Sequence, residues 1–276
     1  GIRKSNLALA QAKLIKELME SKFKDETVEI VGFTMEGNEE EAVFKLQQAL
    51  LKGHMDVILG DAAYFPMQFE DGIDVLATLR REDASNVLIT NGCLPEELPS
   101  GSVIGVNSQL LAMELGQWRR DLKVKIALSE GTETLMMKMH SGDFDAVIVP
   151  KADLNWMGIR LVHCYSMDRN LFLPSPCQGI LLVAGRKGNF INARLREMNH
   201  IDTMRDMKCE RAFEAVLKEK YDGFIGAKST ILDNNLSLRA VVWKDGKSYF
   251  DEIFGDKEEA KILGEILGKR MLARLR

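Results

Sequence analysis

Residues 102–149 read SVIGVNSQLLAMELGQWRRDLKVKIALSEGTETLMMKMHSGDFDAVIV. SVIGV (102–106) is short, apolar and β-branched and predicts a strand, after which Leu110, Leu111 and Leu115 recur at helical spacing. VKIAL (124–128) predicts a second strand, and DAVIV (145–149) predicts a buried one. Between them lies a helix with Leu135, Met136 and Met139, whose methionines read as core filler. Strands alternating with helices predict an α/β fold built on βα units. Upstream the same grammar holds. Leu7, Ala10, Leu14 and Leu18 predict a helix face, with Ser5 as N-cap. TVEIVGFTME (27–36) predicts a strand, Val43, Leu46 and Leu50 a helix, and DVILG (56–60) and DVLATL (74–79) two further strands. After about residue 200 the pattern changes. A helix through CERAFEAVLKE precedes the strand-like FIGAKSTI, LSLRAVVW and KSYFDEI, with a hairpin turn at Asp245–Gly246. A last helix runs through Ile262, Ile266, Leu267 and Met271. Two α/β domains and a small α+β domain are expected.

The chain has 276 residues, which suggests about two domains, with three allowed. At 46% hydrophobic and 28% charged residues it has enough apolar side chain to fold. No apolar run is long enough for a membrane helix. Polar residues break the opening GIRKSNLALAQAK, so no signal peptide and a cytoplasmic location are expected. With 37 Lys and Arg against 41 Asp and Glu, the charge does not point to nucleic acid. Cys93, Cys164, Cys177 and Cys209 are widely spaced and read as reduced core residues. The four histidines form no ligand pattern, so no metal is expected.

Six stretches carry a resemblance. GIRKSNLALAQA is similar to a Gly-Thr-Arg-x-Ser-x-Leu-Ala opening, and LRREDASNVLI to an Arg-Glu-Asp hinge. LPSGSVIGVNS leads to the place of a Ser-Ser-Leu-Arg-Arg motif, and SGDFDAVIVPKADLNWMG is similar to a Gly-x-x-Asp-Ala-Ile segment. PCQGILLV resembles a Gly-Gln-Gly strand, and CERAF with FIGA the start of a third domain. In order and spacing the chain resembles the porphobilinogen deaminase (hydroxymethylbilane synthase) family of tetrapyrrole and heme biosynthesis. The resemblance implies two periplasmic-binding-protein-like α/β domains joined by crossing hinges, plus a small α+β C-terminal domain. Domain 1 would span 1–82 and 172–198, domain 2 83–171 and domain 3 199–276. Family members tether a dipyrromethane cofactor to a Cys, add porphobilinogen units to it with loss of ammonia, and release a linear tetrapyrrole. An Asp assists the chemistry, and arginines hold the acidic side chains.

Most of these positions differ here. The His-Ser-x-Lys-Asp-x-Pro motif falls on Gly60-Asp61-Ala62-Ala63-Tyr64-Phe65-Pro66, which puts Tyr64 at the catalytic Asp. Deamination creates a cation that a carboxylate stabilises, whereas a phenol with a pKa of about 10 stays neutral. Asp61 is nearby, but its odd separation from Tyr64 in an extended strand points it to the opposite face. Ser-Ser-Leu-Arg-Arg falls on Asn107-Ser108-Gln109-Leu110-Leu111, and the next two arginines on Ser129 or Glu130 and on Leu135. Leucines at these places, Leu110, Leu111 and Leu135, would make the cleft more apolar. A carboxylate buried without a partner costs several kcal/mol. The tethering Cys falls on Tyr221, which cannot form a thioether. Cys177 and Cys209 are the other thiols considered, and neither has basic surroundings. Between Gly37 and Val43 the acidic EGNEEE replaces a long Gly-rich lid. Arg3, Ser5, Gln11, Gln178 and Gly179 match, as does the Arg80-Arg81-Glu82-Asp83 hinge, which reads as structural.

The cleft candidates are therefore Arg3, Ser5, Asp61, Tyr64, Asn107, Ser108, Leu110, Leu111, Ser129, Gln178 and Tyr221. The expected protein is a pseudoenzyme without dipyrromethane, binding a small molecule or a protein partner, with no nucleic acid and no membrane. A deaminase with a site relocated to Asp61 and Cys177 is one alternative. A solute-binding receptor is the other.

Overall fold

The computed structural model describes residues 1–34, 39–128 and 130–275. The first domain opens with β1 (Ile2–Arg3), α1 (Asn6–Lys22), β2 (Gly32–Phe33), α2 (Glu39–Leu51), β3 (Val57–Asp61) and β4 (Ile73–Thr78). The second holds β5 (Asn86–Thr90), β6 (Val103–Val106), α3 (Gln109–Trp118), β7 (Lys123–Ile126), α4 (Thr132–His140), β8 (Ala146–Pro150), α5 (Lys151–Trp156) and β9 (Cys164–Ser166). The chain then returns as β10 (Leu181–Arg186) and α6 (Asn192–Arg196). β10 is the centre of the sheet β3-β10-β4 and runs antiparallel to both neighbours. The first domain is thus discontinuous. The second sheet has the order β7-β6-β8-β5-β9, with β6 parallel to β7 and β8.

Two stretches cross between these sheets side by side. Leu79 N–H donates to the Leu181 carbonyl at 3.0 Å, and Glu82 N–H to the Gly179 carbonyl at 2.9 Å. The last domain comprises α7 (Ile201–Lys218), the antiparallel β11 (Phe224–Leu232), β12 (Asn235–Lys244) and β13 (Lys247–Asp256), and α8 (Ala260–Arg274). Asp245 and Gly246 both have positive φ, 51° and 74°, the backbone of a tight hairpin whose twist suits the strands.

Three expectations change. Of the strand expected over 27–36, residues 35 and 36 lie outside the described ones, and within 27–34 only Gly32–Phe33 forms a strand, because its parallel partner β1 is itself only Ile2–Arg3 before α1 begins. Strand propensity without a neighbouring ladder forms no sheet. The buried face of α1 is Gln11, Ala12, Ile15 and Met19, whereas Leu14 and Leu18 are exposed. Cys93 and Cys164 are only half-buried, and Cys177 and Cys209 alone sit in the core.

Candidate functional site

A cleft of about 460 Å³ opens between the first two domains. Its first wall is the start of α1 and the loop that follows β3. Ser5 lines it while its hydroxyl oxygen accepts the Ala8 N–H at 3.2 Å, capping α1. Arg3 lies beside it, half-buried. Asp61 ends β3, and its two carboxylate oxygens accept the N–H groups of Ala63 at 2.9 Å and Gly179 at 3.0 Å. Burial pushes this carboxyl up to about 6. Tyr64 is half-buried in the same loop. Arg211 of α7 braces the loop from behind by donating to the carbonyls of Pro66 at 2.5 Å and Ala62 at 2.9 Å.

The second wall is built from helix starts. Asn107 and Ser108 stand at the N-terminus of α3, and Ser108 makes no side-chain cap bond. Thr132 begins α4, and its hydroxyl donates to Asp153 of α5 at 2.5 Å. Glu130 precedes α4 and pairs with Lys138. Gln178 is buried at the crossing, where its side-chain amide donates to the Ala84 carbonyl at 2.8 Å and to Asn86 Oδ1 at 3.0 Å. At the rim Asn6 donates to Glu133 at 2.6 Å, tying one domain to the other.

Leu110 and Leu111 reach the cleft but are core residues first. Leu110 packs on Leu173, Val241 and Trp243, and Leu111 within the second domain. Three expected residues are placed differently or lie outside. Leu135 is fully buried behind the second sheet with Val87 and Val147 and does not line the cleft. Tyr221 does not line it either: it packs on the C-terminal core, and its hydroxyl donates to the Trp243 carbonyl. Phe224 is what that segment contributes instead. Ser129 lies outside the described residues, as do parts of the acidic run near 37–43. Asp153, Thr132 and Phe65 line the cleft without having been singled out. Nothing in ADLN, GTET or YFP marks them, because the segments converge only through the fold.

The hinge supplies the molecule's central ion pair. Arg81 donates to Glu210 of α7 at 2.5 and 3.1 Å, and both side chains are buried. Glu210 also accepts the N–H groups of Cys177 and Ser229, each at 2.6 Å. Burial opposes both charges. The guanidinium outweighs that and holds the carboxyl low, and the carboxylate holds Arg81 high.

Two α/β domains joined by paired crossing segments, with a cleft between them and an α+β domain bracing its floor, define a hinged cleft protein. The chain belongs to the porphobilinogen deaminase family: the model described as "Porphobilinogen deaminase, dipyromethane cofactor binding domain" matches residues 1–192. A Picrophilus torridus protein described as a probable porphobilinogen deaminase is 31% identical over 260 residues, covering 89% of this chain and 90% of its own. The porphobilinogen deaminase of Chromobacterium violaceum is 29% identical over 286 residues, covering 98% and 92%. That of Thermus thermophilus is 29% identical over 284 residues, covering 99% and 94%. Among solved structures, the periplasmic VFT2 domain of Bordetella pertussis BvgS is similar with a TM-score of 0.40 at 15% identity, over 68% of this chain and 75% of that one.

The family implies a dipyrromethane group, and the cleft residues do not fit one. A thioether tether needs a thiol, and no cysteine is among the described residues lining the cleft. The Cys177 thiol faces the Met207 carbonyl at 3.9 Å in the first domain's core, and burial pushes it and Cys209 well above the ordinary thiol range. The group's acidic side chains need cations. Arg3 is the only Lys or Arg among the described lining residues, against Asp61, Glu130 and Asp153.

Proposed function

We propose that this member of the porphobilinogen deaminase family is a pseudoenzyme that binds a small molecule in the interdomain cleft, without dipyrromethane and in the cytoplasm. The observation that carries the reading is the lining: among the described residues, one guanidinium, three carboxylates and no thiol. Polymerising porphobilinogen would bring several carboxylates into that cleft, and each one desolvated without a partner costs several kcal/mol. Tyr64 stands where the family has its catalytic Asp, and a phenol at neutral pH offers no negative charge to the cation formed on deamination. The relocated site fares no better, because Asp61 spends both oxygens on backbone amides and Cys177 lies outside the cleft. No described helix is long and apolar enough to cross a membrane.

Intact mass after purification from a host that makes porphobilinogen, with a porphobilinogen turnover assay, tests the reading. The expected mass is that of the sequence alone, with no tetrapyrrole formed. A mass heavier by a dipyrromethane, or turnover, overturns it.

A further inference from the structure

We infer that the cleft takes a compact molecule with a cationic nitrogen on an apolar, aromatic-sized body and at most one carboxylate. The inference rests on the cleft being a small-molecule site, as proposed above, and adds the chemistry of the occupant. The cleft's volume of about 460 Å³ is that of an ordinary small-ligand site. Its charge is asymmetric on the second wall, while Arg3 offsets Asp61 on the first. Asp61 faces in from the first domain and Glu130 and Asp153 from the second, with Arg3 the one cation among the described lining residues. Even with Lys138 paired to Glu130, the second wall gives a polyanion no lining Lys or Arg among the described residues, whereas a cationic nitrogen is favoured beside Glu130.

Two unmet hydrogen-bonding atoms sharpen the reading. Gln11, on the face of α1 that borders the cleft, is 3% exposed, and its Nε2 has no acceptor. Glu130 gives one oxygen to Lys138, while its buried Oε2 has no donor. Buried polar groups are nearly always paired, and leaving one unpaired is costly. A ligand that offers an acceptor to Gln11 and an N–H to Glu130 satisfies both. Leu7, Leu46, Phe65, Leu110 and Phe224 supply the apolar surface for its body.

The test is thermal-shift and calorimetric titration of the full chain with four probes: phenethylamine, L-phenylalanine, phenylacetate and mellitate. The expected result is binding of phenethylamine or L-phenylalanine, weaker binding of phenylacetate, and none of mellitate. Gln11→Leu and Glu130→Gln should each weaken the amine by about tenfold. Glu130 precedes α4 rather than lying in the core, so its variant keeps the test open if Gln11→Leu does not fold. Preference for phenylacetate or mellitate, no binding of any probe, or variants that bind like the parent overturns the inference. Failure here leaves the intact-mass result standing, and a dipyrromethane adduct sinks the pseudoenzyme reading whatever the amines do.

Discussion

Glu114 of α3 is 1% exposed, and only one of its oxygens is engaged, by the Leu173 N–H at 2.9 Å. Burial without a cation raises its carboxyl from 4.5 to about 9, so it is neutral at pH 7. The unfolded chain releases that proton near pH 4.5 and the native chain keeps it to about 9. Native stability is therefore fullest below the unfolded value and falls as pH rises between the two. Glu114→Gln keeps the acceptor and removes the titration. It should flatten the pH dependence of the urea midpoint from 5 to 9 and add up to about 3 kcal/mol at pH 7. A midpoint that moves with pH as in the parent would refute this. Glu210 behaves in the opposite way, since its charge is answered by Arg81. Glu210→Ala strands a buried guanidinium and two backbone N–H donors, and should cost about 3–5 kcal/mol in equilibrium unfolding. A loss under about 1 kcal/mol would mean the pair is solvated after all.

Helices show where sequence periodicity reaches its limit. α1 offers Leu7, Leu14 and Leu18 on one face and Ala12, Ile15 and Met19 on another, both at helical spacing. The second face is buried, against Leu59, Leu76 and Leu181. In α8 the expected Leu267 and Met271 are buried, but Ile262 and Ile266 face solvent and Leu263 takes their place. The reason lies in two glycines. An added Cβ at Gly264 would collide with the Cys209 carbonyl of α7, and one at Gly268 would stand 2.9 Å from Val216 Cβ. α7 and α8 approach backbone to backbone, which turns the glycine face inward. Gly264→Ala should push the pair apart and lower stability by about 1–3 kcal/mol, visible as a drop in melting temperature. An unchanged or raised melting temperature would show that the contact yields.

At the scale of the whole molecule, the cleft is assembled from distant parts of the chain by the hinge. Gln178 and Asp61 belong to it, and both hold the 177–179 turn whose Cys177 N–H reports to Glu210 in the C-terminal domain. Arg3, Ser5, Asp61, Tyr64, Asn107, Ser108 and Gln178 line the cleft, and the sequence singles them out through the motifs of the family it resembles rather than through any spacing of their own. Tyr221 and Leu135 do not line it, since one phenol finds a carbonyl in its own domain and one leucine fills the far side of a sheet. By itself the sequence determined the α/β grammar, the antiparallel C-terminal hairpins and the family resemblance, because all of these depend on near neighbours or on short motifs. The tertiary structure alone decided which helix faces are buried, that Cys177 lies outside the cleft, and that Asp61, Glu130 and Asp153 share it with one arginine among the described residues. Such facts depend on which distant segments meet, and no local spacing encodes that.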